Sequence, residues 1–128
     1  MFARVLLPIN QTKEEIEMVR KAIELAKNYN SKLIMVSVIP SQNSASLKTK
    51  TSTDDGLKKT KRLLEQNGIR WDFIERKGNP TFVICDIADE LNIDVIVMGI
   101  KAKIVSNSAK NIVSRVIELA PCPVLVVP

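Results

Sequence analysis

The chain has 128 residues, of which 45% are apolar and 26% charged, and 19 Lys+Arg against 14 Asp+Glu give a formal charge of +5. That length suits one compact domain over residues 1–128 and leaves no room for a two-domain enzyme. With two cysteines, Cys85 and Cys122, in no C-x-x-C arrangement and no histidine, a thiolate zinc site, a Cys/His or Ser/His catalytic pair and a histidine proton shuttle are excluded.

The two thiols read as reduced small hydrophobes in a cytoplasmic protein. Residues Met1 to Pro8 hold a short apolar run broken by Arg4 and closed by Pro8, with no small-residue cleavage site behind it, so no signal peptide is expected. No apolar stretch approaches the roughly 18 residues of a membrane span. The positive excess favours anionic partners in general, without choosing among nucleotides, nucleic acids and membrane surfaces.

Val5-Leu6-Leu7-Pro8-Ile9 is an apolar run of strand length, and Thr12 with Glu15 has the spacing of a capping box that opens a helix. Ile16, Val19, Ile23 and Ala26 then recur at helical spacing opposite a charged face, until Asn28-Tyr29-Asn30-Ser31 breaks the pattern. Leu33 to Ile39 is too apolar throughout for a one-sided sheet, which predicts a central parallel strand covered on both faces and ended by Pro40. Ser41 to Thr53 carries no apolar period and reads as a surface loop.

A second helix is expected from about Asp54 to Glu65, with Leu57, Leu63 and Leu64 inward, Lys58, Lys59, Lys61 and Arg62 outward, and Asn67-Gly68 as its stop. Arg70 to Arg76 alternates loosely, as a strand nearer a sheet edge would. Asn79 ahead of Pro80 is a cap followed by a first-turn proline, and Val83, Ile84, Ile87, Ala88 and Leu91 continue the helix it opens. Asp94 to Gly99 is a further apolar strand, Ile112, Val113, Val116, Ile117 and Ala120 mark a last helix, and Val124 to Val127 form a last strand. Five strands alternating with four helices predict an α/β domain built on an open sheet of mostly parallel strands.

In such a sheet ligands bind beyond the carboxyl ends of the strands, where strand order reverses. Two exits stand out, Pro8-Ile9-Asn10 and Met98-Gly99. The second leads through Lys101 and Lys103 to Ser106-Asn107-Ser108 at a helix start, where free N–H groups and the helix dipole would meet an anion. The competing reading is structural: Gly99 ends the strand, Asn107 or Ser108 caps the helix, and the lysines are solvated. Asp54, Asp55, Asp86, Asp89 and Glu90 assemble into no catalytic set, and neither G-x-x-x-x-G-K-[ST] nor G-x-G-x-x-G is present. The Lys58 to Arg62 cluster invites nucleic acid or an acidic membrane, but aromatics are 4% of the chain and Trp71 and Phe73 are not interleaved with it, so a solvated helix face is preferred.

Taken in order, Val5 to Asn10, Ala22-Ile23-Glu24-Leu25-Ala26, Gly78-Asn79-Pro80, Asp94 to Gly99 and Ala120-Pro121-Cys122-Pro123-Val124-Leu125-Val126-Val127 resemble the universal stress protein family over nearly the whole chain. The resemblance implies a Rossmann-like sheet of five parallel strands in the order 3-2-1-4-5 between helices, a homodimer, and a role in stress responses. It also implies a nucleotide crevice, since some members bind ATP. Carried onto this chain, that crevice comprises Pro8, Ile9, Asn10, Val38, Met98, Gly99, Lys101, Ala102, Lys110, Asn111 and Ile112, with ATP or AMP and magnesium as its ligands. The dimer contact is assigned to the edge strand Val124, Leu125, Val126 and Val127.

The chain departs from the family's phosphate loop, which has the form Gly, two residues, Gly, nine residues, Gly, then Ser or Thr. Gly99 matches the first glycine, Ala102 and Lys110 take the other two places with seven residues between them, and Asn111 replaces the hydroxyl residue. Asn10 stands where ATP-binding members usually carry an aspartate. A Cβ at either place hinders backbone approach to a phosphate, so the expectation is a cytoplasmic stress-response protein that binds partners without the usual ATP loop and is not an enzyme. The alternative is an ATP or AMP sensor in which Lys101, Lys103, Ser106, Lys110 and Asn111 supply the donors.

Overall fold

The computed structural model describes residues 2–9, 16–39, 57–100 and 107–128, with side chains of the last stretch from Ile112 onward. Strands β1 (Arg4–Pro8), β2 (Lys32–Ile39), β3 (Arg70–Lys77), β4 (Val95–Gly99) and β5 (Val124–Val127) alternate with helices α1 (Ile16–Tyr29), α2 (57–66), α3 (Pro80–Glu90) and α4 (Asn107–Leu119). The sheet runs β3-β2-β1-β4-β5 with every neighbouring pair parallel, as expected. The Thr12/Glu15 capping box, the 41–53 loop and Asp54 with Asp55 lie outside the described residues.

The apolar runs of β1, β2 and β4 follow from the two-residue period of a strand. Val5, Leu7, Leu33, Met35, Val95 and Val97 point to one face and pack with Met18, Val19, Ala22, Ile23 and Ala26 of α1 and Leu64 of α2. Leu6, Ile34, Val36, Ile96 and Met98 point to the other and meet Val83, Ile84, Ile87 and Ala88 of α3 and Val113 and Val116 of α4. A strand buried on both sides has no place for a polar alternate. β3, at the edge, keeps one: its residues alternate between exposed and half-buried, and Asp72 reaches Lys32 of β2 at 2.7 Å.

Three helices stop in the same way. Asn30, Gly68 and Asn92 adopt positive φ (52°, 67° and 52°), and the following N–H groups of Ser31, Ile69 and Ile93 donate to the carbonyls of Ala26, Leu64 and Ala88 at 2.9, 3.0 and 2.9 Å. These left-handed stops satisfy carbonyls that the helix ends would leave open. At the amino end of the sheet the Arg4 N–H donates to Asp94 Oδ2 and the Asp94 N–H donates to the Arg4 carbonyl, both at 2.9 Å, tying the entry of β4 to β1.

Candidate nucleotide crevice at the strand-order switch

Strand order reverses between β1 and β4, the position at which an open parallel sheet presents a crevice. Here the two strands part early. Val5 pairs with Val95 and Leu6 with Ile96, after which β1 stays in register with β2 alone, through Leu7↔Met35 and Pro8↔Val36. Pro8 has no N–H to donate, and the next N–H, from Ile9, goes to the Val36 carbonyl at 2.9 Å. β4 turns the other way, continuing along β5 until the Ile100 N–H meets the Val127 carbonyl at 3.1 Å. The sheet therefore opens where Pro8, Ile9, Met98 and Gly99 end their strands.

Pro8, Gly99 and Val38 are half-buried at these strand ends, whereas Ile9 and Met98 are buried. Ile112 is half-buried and packs against the core that α3 and α4 share with the sheet. Asn10, Lys101, Ala102, Lys103 and Ser106 lie outside the described residues, as do the side chains of Lys110 and Asn111; the backbone of these last two belongs to α4.

Gly99 has a packing reason that sequence reading did not supply. A Cβ built there would stand 3.1 Å from Sδ of Met18, with Cβ and Cγ of the same methionine at 3.6 and 3.7 Å. Met18 flanks the Val19 stripe of α1 and is buried in the core on that side of the sheet, which brings it against the end of β4. Gly78 is under a stronger constraint. Its φ is 144°, its N–H donates to the Ile39 carbonyl at 2.9 Å, and a Cβ would meet Cγ2 of Val83 at 2.9 Å. Asn79 then caps α3, its Oδ1 accepting from the N–H groups of Thr81 (3.0 Å) and Phe82 (3.4 Å), with Pro80 in the first turn as the sequence predicted.

Other candidates resolve individually. Lys61 is half-buried, and its Nζ lies 5.3 Å from the Trp71 ring centre and 5.7 Å from that of Phe73. Crossing of α2 over β3 brings together residues that the sequence keeps apart, while Lys58, Lys59 and Arg62 are exposed as expected. Glu90 pairs with Arg76 at 2.8 Å, and Asp86 and Asp89 are exposed. Cys85 and Cys122 are free thiols. Burial pushes both upward in pKa, aided at Cys85 by Asp86 and at Cys122 by Cys85 and Asp94. No group of three His, Cys, Asp or Glu side chains able to hold a metal occurs among the described residues.

The edge strand β5 carries Leu125 at 43% exposure, with Val124, Val126 and Val127 half-buried. Val127 leans on the α1 side of the core, and Val124 and Val126 on the α4 side. Among the described residues its outer edge is unpaired.

The universal stress protein family model matches residues 1–128. The universal stress protein Sll1654 of Synechocystis sp. is 35% identical over an alignment that takes in 100% of this chain and 87% of that protein. Among solved structures, the hypothetical protein MJ0577 superposes with a TM-score of 0.83 at 22% identity, covering 99% of this chain and 96% of that one. A universal stress protein from Archaeoglobus fulgidus in complex with dAMP superposes with a TM-score of 0.77 at 19% identity over 100% of both chains. A family match along the whole length, a well-covered relative and the same β3-β2-β1-β4-β5 sheet agree, and the chain belongs to the universal stress protein family.

Proposed function

We propose that this universal stress protein works in the stress response by binding, not by catalysis, as a cytoplasmic homodimer whose crevice has lost the family's usual phosphate loop. The observation that carries the reading is the contrast within one site. The strand ends Pro8, Ile9, Met98 and Gly99 still part at the switch point, yet Ala102 and Lys110 stand where a phosphate would need bare backbone. Among the described residues no helix is long and apolar enough to cross a membrane. Dimerisation is assigned to Val124, Leu125, Val126 and Val127, because an open apolar strand edge invites a partner strand.

The second reading is a nucleotide sensor binding ATP or AMP with magnesium through Lys101, Lys110 and Asn111. It is favoured by the dAMP complex of the Archaeoglobus relative with the same fold. Calorimetric titration of ATP and AMP with magnesium, after denaturing extraction has checked the purified protein for carried-over nucleotide, separates the two. The first reading expects no saturable heat and no extracted nucleotide. Micromolar binding lost in Lys101→Ala or Lys110→Ala would replace it with the sensor.

A further inference from the structure

The two faces of the sheet are clad in helices of opposite charge. On one side α1 and α2 carry seven cationic residues (Arg20, Lys21, Lys27, Lys58, Lys59, Lys61, Arg62) against three acidic ones (Glu17, Glu24, Glu65). On the other, α3 and α4 carry four acidic residues against two cationic ones. Among the four helices, the positive excess thus lies on the α1 and α2 side. Between α1 and α2 that surface is indented by a groove of about 350 Å³ lined by Arg20, Ile23, Glu24, Lys27, Leu63 and Asn67.

The groove combines two chemistries. Its floor is apolar, formed by Ile23 and Leu63. Its exposed rim holds Arg20 and Lys27, neither of which makes an ion pair among the described residues, whereas Glu24 is engaged by Lys21 at 3.9 Å. Asn67 anchors the α2 end, its Nδ2 donating to the Leu63 carbonyl at 2.8 Å. An apolar floor with cations beside it suits a ligand that offers a large apolar side chain flanked by carboxylates. Nucleic acid fits less well. It has no aliphatic side chain for the floor, and the aromatic rings on this side, Trp71 and Phe73, are already faced by Lys61.

We propose that the groove between α1 and α2 is a docking site for an acidic, amphipathic peptide segment of a partner protein, seated by its apolar side chain on Ile23 and Leu63 and by its carboxylates on Arg20 and Lys27. The site lies on the helix-clad face away from the strand-end crevice and does not depend on nucleotide binding there.

The test is fluorescence anisotropy of a fluorescein-labelled peptide alternating Leu with Glu. It is compared with the same peptide carrying Gln for Glu, with an oligothymidylate of equal charge and with anionic phosphatidylserine vesicles. The Leu/Glu peptide should bind the full chain at least about tenfold more tightly than any of the three, weaken as salt rises, and lose at least about tenfold in affinity to Arg20→Glu with Lys27→Glu. Arg20→Gln with Lys27→Gln, which only neutralises the rim, should lose less; it replaces the reversed pair if circular dichroism shows that pair unfolded. Equal affinity for oligothymidylate or vesicles, undiminished affinity for the Gln peptide, or an unchanged affinity in the folded rim variants overturns the proposal.

Discussion

Gly78 is constrained more than Gly68 or Gly99. It combines a φ of 144° with a side-chain space already occupied by Val83 at 2.9 Å, so Gly78→Ala meets backbone strain and a steric clash together. A loss of about 1–3 kcal/mol is expected, read as a lower urea midpoint with unchanged slope. Its neighbour tests a different interaction: Asn79→Ala removes the cap of α3 and should cost about 1 kcal/mol in the same assay. The cysteines give a prediction in pH. Because burial holds the Cys85 and Cys122 thiols above their ordinary pKa, both stay protonated at neutral pH, and iodoacetamide should modify them more slowly than a free cysteine, with the rate rising only on the alkaline side of the ordinary thiol range near about 8.5. The sign for stability follows from proton counting. The unfolded chain gives up these protons first as pH rises, so the contribution is complete below the unfolded pKa and is lost as pH climbs through the folded one. At this scale the sequence was only partly legible. Asn79-Pro80 announces its own role, because capping is a local matter between adjacent residues. Met18 does not, since its contact with Gly99 depends on where α1 is laid across the ends of the strands.

Elements were easier to read than contacts between them. A strand walled in on both sides is apolar along its buried stretch, so β1, β2 and β4 are recognisable from their runs of consecutive apolar residues, and the loose alternation of β3 marks its edge place. What pattern cannot show is the partner of a side chain on another element: Lys61 looks like one more solvated lysine until α2 crosses Trp71 and Phe73. The stretch after Gly99 offers still less, because Lys101 to Ser106 has no apolar period to anchor it to a face. β5 carries the prediction at this scale. Among the described residues its outer edge is unpaired and Leu125 is 43% exposed, so Leu125→Glu should leave the domain folded while placing two like charges against each other across the proposed two-fold strand contact. Sedimentation velocity checks it. The parent chain should sediment as a dimer and the variant as a 14.3 kDa monomer; a parent that stays monomeric at micromolar concentration would remove β5 as the dimer contact.

As a whole, the molecule is two apolar layers divided by one sheet, with Leu7 facing one layer and Leu6 the other, each fully buried. Since both belong to a single central strand, Leu6→Ala and Leu7→Ala should each cost about 2–5 kcal/mol. Loss on either face should lower one and the same cooperative transition, with tryptophan fluorescence and far-ultraviolet circular dichroism coinciding. The centrality of β1 has a further consequence, for synthesis. One edge of β1 is met early by β2, but the other is met by Val95 and Ile96, near the far end of the chain. At translation speeds of about 5–20 residues per second, a ribosome needs on the order of ten seconds to get from one to the other. Throughout that interval the nascent chain holds an unpaired apolar strand edge, so the period of exposure to misassembly is set by the distance between two codons and not by the stability of the finished fold.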